Sequence, residues 1–220
     1  MYVLALDTAL AACSVAVLDT QHGILARASL PMQRGHAEAL LPLIDQVMED
    51  AGVAFTDLHR VAATVGPGSF TGLRVGVSAA RGIALAARKQ VVGVTTLAAL
   101  AALAEVLAKD TPVVAAIDAR HGQCYVQSFG NGPAPEARIA SLDEVREFAA
   151  AAPLYIAGNC CGLLLAGWPQ GKPAHATLDP SDAPDIGWVA RLGARASLAA
   201  APAPVYLRAA DARPQAPQLP

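Results

Sequence analysis

Positive charge is not in excess in this chain, whose 220 residues carry a formal net charge of −2. Proteins that read nucleic acid normally show a basic stripe. Neither a stripe nor a run of like charge forms an arm or tail here, so any service to RNA is expected to be indirect, through a partner. Metal-ligand spacing is missing too. His22, His36, His59, His121 and His175 are scattered, and neither H-x-x-x-H nor C-x-x-C occurs. Of the four cysteines, Cys13 and Cys124 lie in apolar runs, while Cys160 and Cys161 are adjacent, which suits neither chelation nor a mutual bridge. Buried reduced thiols and no bound metal are the expectation.

Membrane signals are weak. The opening MYVLALDTALAACS sets Leu-Ala-Ala ahead of Cys13, in the manner of a lipoprotein cleavage box, yet it has no basic leader and carries Asp7 within the apolar run. Residues 91–108 are interrupted by Thr95, Thr96 and Glu105, whereas a spanning helix needs about 20 strongly apolar residues. Both stretches read as the buried core of a cytoplasmic protein with no membrane contact.

What the chain does have is alanine, leucine and valine, at a length that suits one large or two small domains. Its organising stretch is Gly66-Pro-Gly-Ser-Phe-Thr-Gly-Leu-Arg-Val-Gly-Val-Ser-Ala-Ala-Arg-Gly82. Glycines around a proline make a turn, and Ser69 or Thr71 can cap the helix that follows. Gly68, Gly72, Gly76, Ala80 and Ala84 recur every fourth residue, laying a smooth stripe on one helix face. Each interior glycine costs a helix roughly 1 kcal/mol relative to alanine, so something must approach this backbone closely. Close helix packing is the simpler reading; an anion held by the loop amides and the helix dipole is the sharper one. The phosphate loop lacks its lysine, the dinucleotide fingerprint has one residue too many, and the nucleophile elbow has its glycines misplaced.

In order, the pattern predicts strands at Tyr2–Asp7, Cys13–Leu18 and Ile24–Leu30, then a helix from His36 to Gly52 that Pro42 should kink or restart. Strand Val61–Val65, the central helix, strand Val91–Val94 and a helix from Leu97 to about Lys109 follow. A meander followed by alternating helices and strands is a mixed five-stranded α/β sheet of the ribonuclease H type. After Thr111-Pro112 the opening repeats: strand Val113–Ile117, then Asp118, a turn, and strand Cys124–Phe129. The halves suggest a duplication with a cleft between them. The expected lobes are 1–110 and 111–208, with 209–220 a disordered tail. A helix to about Ala150, a strand at Leu154–Ala157 and a helix over Asp185–Leu198 complete the second lobe; residues 158–184 read as irregular. Asp7 ends an apolar strand at a turn, where it can reach a ligand or simply bond the turn backbone.

Ala5-Leu6-Asp7-Thr8, His36-Ala-Glu-Ala-Leu-Leu-Pro42, Gly66 through Gly76, Asp118-Ala-Arg120 with Tyr125, and Pro204-Val-Tyr-Leu-Arg208 together resemble the TsaB (YeaZ) family. The resemblance is dense over residues 1–125, thin from 130 to 200, and returns at Tyr206-Leu-Arg208. It implies the actin-like ATPase fold shared by sugar kinases and heat-shock chaperone ATPases, built of two ribonuclease H-like lobes. It also implies a place in the synthesis of threonylcarbamoyladenosine in tRNA, as a non-catalytic partner of the paralogous transferase TsaD, joined by the ATPase TsaE. Alone, such a chain is expected to form a homodimer. The paralogue carries Val-Asn-His-x-x-x-His after the equivalent helix; here the segment is Val94-Thr-Thr-Leu-Ala-Ala-Leu100, and neither Thr96 nor Leu100 can ligate a metal.

On this resemblance the partner interface is expected at His36, Glu38, Leu40, Leu41, Ile44, Gly72, Gly76 and Ala80. Asp7, Thr8, Gly66, Gly68, Ser69 and Asp118 are the expected nucleotide or anion contacts. No cofactor is assigned to the chain itself, and ATP or ADP is compatible with the complex. The competing readings are an active ATPase or small-molecule kinase of the same fold and, more remotely, a metallopeptidase, which would need an H-E-x-x-H that is absent.

Overall fold

The computed structural model describes residues 1–130, 134–151, 153–168, 176–198 and 202–208; the expected tail at 209–220 lies outside them. The first half contains β1 (Tyr2–Asp7), β2 (Ala12–Asp19), β3 (Gly23–Pro31), α1 (His36–Ala51), β4 (Arg60–Gly66), α2 (Phe70–Ala87), β5 (Gln90–Thr95) and α3 (Thr96–Ala108). The second contains β6 (Val113–Asp118), β7 (Gln123–Phe129), β8 (Arg138–Ser141), α4 (Leu142–Ala151), β9 (Leu154–Ala157), α5 (Cys161–Ala166), β10 (Ala176–Asp179) and α6 (Ile186–Arg195). Strand order is β3-β2-β1-β4-β5 in the first sheet and β10-β9-β6-β7-β8 in the second. Read from the other edge, the second order is the first repeated. In both sheets the opening strands pair antiparallel, Asp7 opposite Ser14 and Asp118 opposite Cys124, and the crossover strands add in parallel.

Each sheet is covered on both faces, and the duplicated units exchange their last helices. Helices α1 and α2 bury Leu40, Ile44, Val47, Ala80 and Ala84 against Leu4, Leu6, Val15, Val61 and Ala63 of the first sheet. Its other face is covered chiefly by α6, whose Ile186, Val189 and Ala190 pack on Val3, Ala5, Ala62 and Val92, with Ala99 of α3 joining the same cluster. Reciprocally, Leu97, Leu100, Ala101 and Ala104 of α3 pack on Val113, Ala115 and Ile117 of the second sheet. The expected lobe of residues 111–208 therefore lends its final helix to the first sheet. Chain order could not show this, because an apolar helix stripe does not specify which sheet it covers. Two arginines pin α6 in place. Arg27 of β3 meets its N-cap, Asp185, at 3.1 Å, and Arg60 of β4 donates to the carbonyls of Gly193, Ala194 and Ala196 at its C-terminal end.

Three local expectations need correction. α1 runs unbroken through Pro42. Both Pro42 and Glu38, whose carbonyl loses its helical donor, lie on the exposed face, where water can replace the bond. The stretch 158–184, read as irregular, supplies α5 and β10; short elements among prolines and glycines carry too little periodicity to be seen. Cys124 and Cys160 form a disulfide with Cα atoms 6.5 Å apart, where reduced thiols were expected. Pairing of β6 with both β7 and β9 brings these cysteines together across 36 residues of sequence. Cys13 and Cys161 are free and buried, and burial pushes both thiols up to about 11. Among the described residues no helix is long and apolar enough to cross a membrane.

Candidate functional site

The loops at the carboxyl ends of β1, β4, β6 and β9 converge on a cavity of about 760 Å³ between the sheets. This is the position at which open α/β sheets take ligands. Ala9–Ala11 contributes from the first turn, Pro67–Thr71 from the central loop, Asp118–Arg120 from the repeated turn and Asn159 from the end of β9. Asp182 and the segment Val205–Arg208 close the wall. Charges of both signs face the space: Asp118 and Asp182 against Arg120 and Arg208.

The two repeated aspartates differ in environment. Both accept a hydrogen bond from the amide two residues on, Asp7 Oδ1 from Ala9 at 3.1 Å and Asp118 Oδ1 from Arg120 at 2.7 Å. Asp118 is half-buried and lines the cavity. Asp7 is fully buried and does not. Its Oδ1 also accepts from the Thr64 hydroxyl at 2.6 Å, while Oδ2 has no partner among the described residues. Burial raises the Asp7 carboxyl from 3.8 to about 6, against the opposing effect of the Thr64 and Ala9 bonds and of nearby His36.

The remaining expected anion contacts divide in the same way. Gly68 and Ser69 reach the cavity wall; Thr8 and Gly66 do not. The loop is fastened to the first turn rather than left open. Ser69 N donates to Ala9 O at 2.8 Å, and Gly68 lies directly against that same residue. Ser69 Oγ caps α2 by accepting from Gly72 N at 3.2 Å. Ser69, one of the expected anion contacts, therefore has its amide already engaged by Ala9 and its hydroxyl by the helix cap.

The expected partner surface turns largely inward. Leu40, Ile44, Gly72, Gly76 and Ala80 are buried within the chain. The glycine stripe faces Thr8, whose hydroxyl donates to Gly72 O at 2.7 Å. The stripe is closely packed, as expected, but against the turn after β1 rather than against another helix. His36 is buried as well, with Nε2 donating to Leu10 O at 3.1 Å. Only Glu38 and Leu41 remain on the surface, and Leu41 is 57% exposed. Arg120 and Asn159 went unassigned in the sequence reading. The duplication held the signal, since Asn159 follows β9 as the Gly66 loop follows β4, and it accepts from Asp118 N at 2.8 Å.

Two sheets of repeated topology, with a cavity at their facing strand ends, define a protein of the actin-like ATPase fold. An ethanolamine utilization protein EutJ from Carboxydothermus hydrogenoformans has that likeness at TM-score 0.50 and 13% identity, over 86% of this chain and 88% of its own. Residues 23–151 match the family model described as TsaD: tRNA N6-adenosine threonylcarbamoyltransferase. The tRNA threonylcarbamoyladenosine biosynthesis protein TsaB of Escherichia coli (strain K12) is 40% identical over 125 residues, 57% of this chain. The match spans about half of that relative, 53% of its length. YeaZ from Pseudomonas aeruginosa superposes with TM-score 0.78 at 32% identity, covering 94% of this chain and 99% of that one. The chain belongs to the TsaB (YeaZ) family.

Proposed function

We propose that this chain is a non-catalytic subunit in the synthesis of threonylcarbamoyladenosine in tRNA, pairing with the transferase TsaD and recruiting the ATPase TsaE. The observation that carries the reading is the character of two positions on α3. Thr96 is a fully buried hydroxyl with no hydrogen-bond partner among the described residues, and Leu100 is a buried aliphatic side chain. The resemblance places metal-binding histidines at these two positions in the paralogue, and neither residue type ligates zinc or iron. The family match and the shared fold supply the context. tRNA is contacted by the partner, and ATP or ADP belongs to the assembled complex.

The pairing surface, revised by burial, is the outward face of α1 around Glu38 and Leu41, where a large aliphatic side chain stands in solvent. The homodimer of the isolated chain uses the same face, so self-association and pairing compete. The test is threonylcarbamoyl transfer to tRNA by purified TsaD, TsaE and the carbamoyl-adenylate synthase, with and without this chain. Product that depends on the chain supports the proposal. Product unaffected by its omission overturns it, and turnover of ATP by the chain alone would favour a kinase or ATPase centred on Asp118 in the cavity.

A further inference from the structure

The segment Pro202–Arg208 has no regular structure, yet it is fastened at both ends to different parts of the molecule. On the side of the first sheet the attachments are several. Val205 N donates to Val65 O at 2.7 Å, and Arg81 Nη2 donates to Pro202 O at 2.7 Å. Tyr206 rests on Phe70 with ring centroids 5.0 Å apart, and Arg74 Nε donates to its hydroxyl at 3.3 Å. On the side of the second sheet the attachment is one side chain. Arg208 Nη1 donates to Ala119 O at 2.6 Å, and Nη2 donates to Gln123 Oε1. These acceptors bracket the β6–β7 turn, itself closed by Ala119 N donating to Gln123 O at 2.9 Å.

We propose that Pro202–Arg208 is a latch across the mouth of the cavity, with Arg208 as its releasable end, setting how far the two sheets stand apart there. The asymmetry of attachment supports this: the segment stays with the first sheet, and a single guanidinium joins it to the second. Both acceptors of Arg208 are neutral oxygens, and among the described residues it makes no ion pair. The contact is therefore a pair of charge-assisted hydrogen bonds that water can replace on release. The sheets are otherwise joined mainly through α3 and α6, and neither helix contributes to the cavity wall. Near the mouth, among the described residues, the remaining backbone link is Ala11 N to Asp182 O, long at 3.3 Å, and Leu10 of the first turn packs on the apolar cluster of α3 and the second sheet. Release of Arg208 thus leaves the packed helices as a hinge and frees the mouth to open.

The experiment places nitroxide labels at Thr71 and Leu163, exposed residues on facing walls of the cavity, in the full chain. Their separation is then measured by pulsed electron spin resonance. Arg208→Gln should broaden the distance distribution and shift it to longer values, with an unchanged circular dichroism spectrum. Gln123→Ala, which removes one acceptor at the first residue of β7, should give a smaller shift in the same direction and stands in if the arginine variant does not fold. Distributions superimposable on that of the parent chain in the folded variants would overturn the latch.

Discussion

A β-carbon at Gly76 would lie 2.5 Å from Oγ1 of Thr8, well inside van der Waals contact. Thr8 cannot move aside freely, because its hydroxyl is committed to Gly72 O. Gly76→Leu should therefore damage the fold itself. We expect Gly76→Ala to lower unfolding stability by about 1–3 kcal/mol, the usual cost of overpacking, and Gly76→Leu to lower it further. Urea denaturation of the isolated chain checks this. Parental stability in the leucine variant would mean that the stripe faces outward after all.

Asp7 gives the molecule a pH dependence with a definite sign. Its carboxyl titrates near 3.8 when unfolded and about 6 when folded, so the folded state binds the proton more tightly between those values. Stability contributed by the neutral form is complete below the lower value and lost as pH rises through the upper one. The loss is about 3 kcal/mol. Asp7→Asn mimics the neutral acid, so the parent chain should lose about that much relative to the variant between pH 3.5 and 7. Parallel denaturant titrations at the two pH values measure the difference; a gap independent of pH would refute the assignment.

Arg60 should hold the exchanged helix in place. Arg60→Met keeps the aliphatic stem and removes the donor to three carbonyls at the end of α6. Those bonds share one nitrogen, so we expect a loss of about 2 kcal/mol, typical of a charged donor. Amide exchange should quicken in residues 186–195 before it does in β1 or β4. Uniform acceleration across the chain would argue against a local role.

Leu41 tests pairing apart from folding. Because it is largely exposed, Leu41→Glu should alter stability by no more than about 0.5 kcal/mol. If the outward face of α1 carries the interface, the same change should weaken association with the transferase roughly tenfold or more. Analytical ultracentrifugation of the mixed proteins reads this directly, and undiminished association would move the interface elsewhere.

The sequence alone determined most elements and the duplication, because strand–aspartate–turn–strand is a local pattern written twice, at Asp7 and at Asp118. It also determined the family, through the Gly66–Gly76 block, and the absence of paired ligands at Thr96 and Leu100. Tertiary structure decided which surfaces meet. A stripe such as Gly72-Gly76-Ala80 announces close approach but not by what, and Thr8 from 64 residues away is invisible to helical periodicity. In the same way an apolar helix fits either sheet, so the exchange of α3 and α6 had to be settled by packing. Burial of Asp7 and the half-buried placement of Asp118 on the cavity follow from that assembly too. Identical local chemistry became a buried carboxyl with a raised pKa in one half and part of a cavity wall in the other, because solvent access is a property of the whole fold.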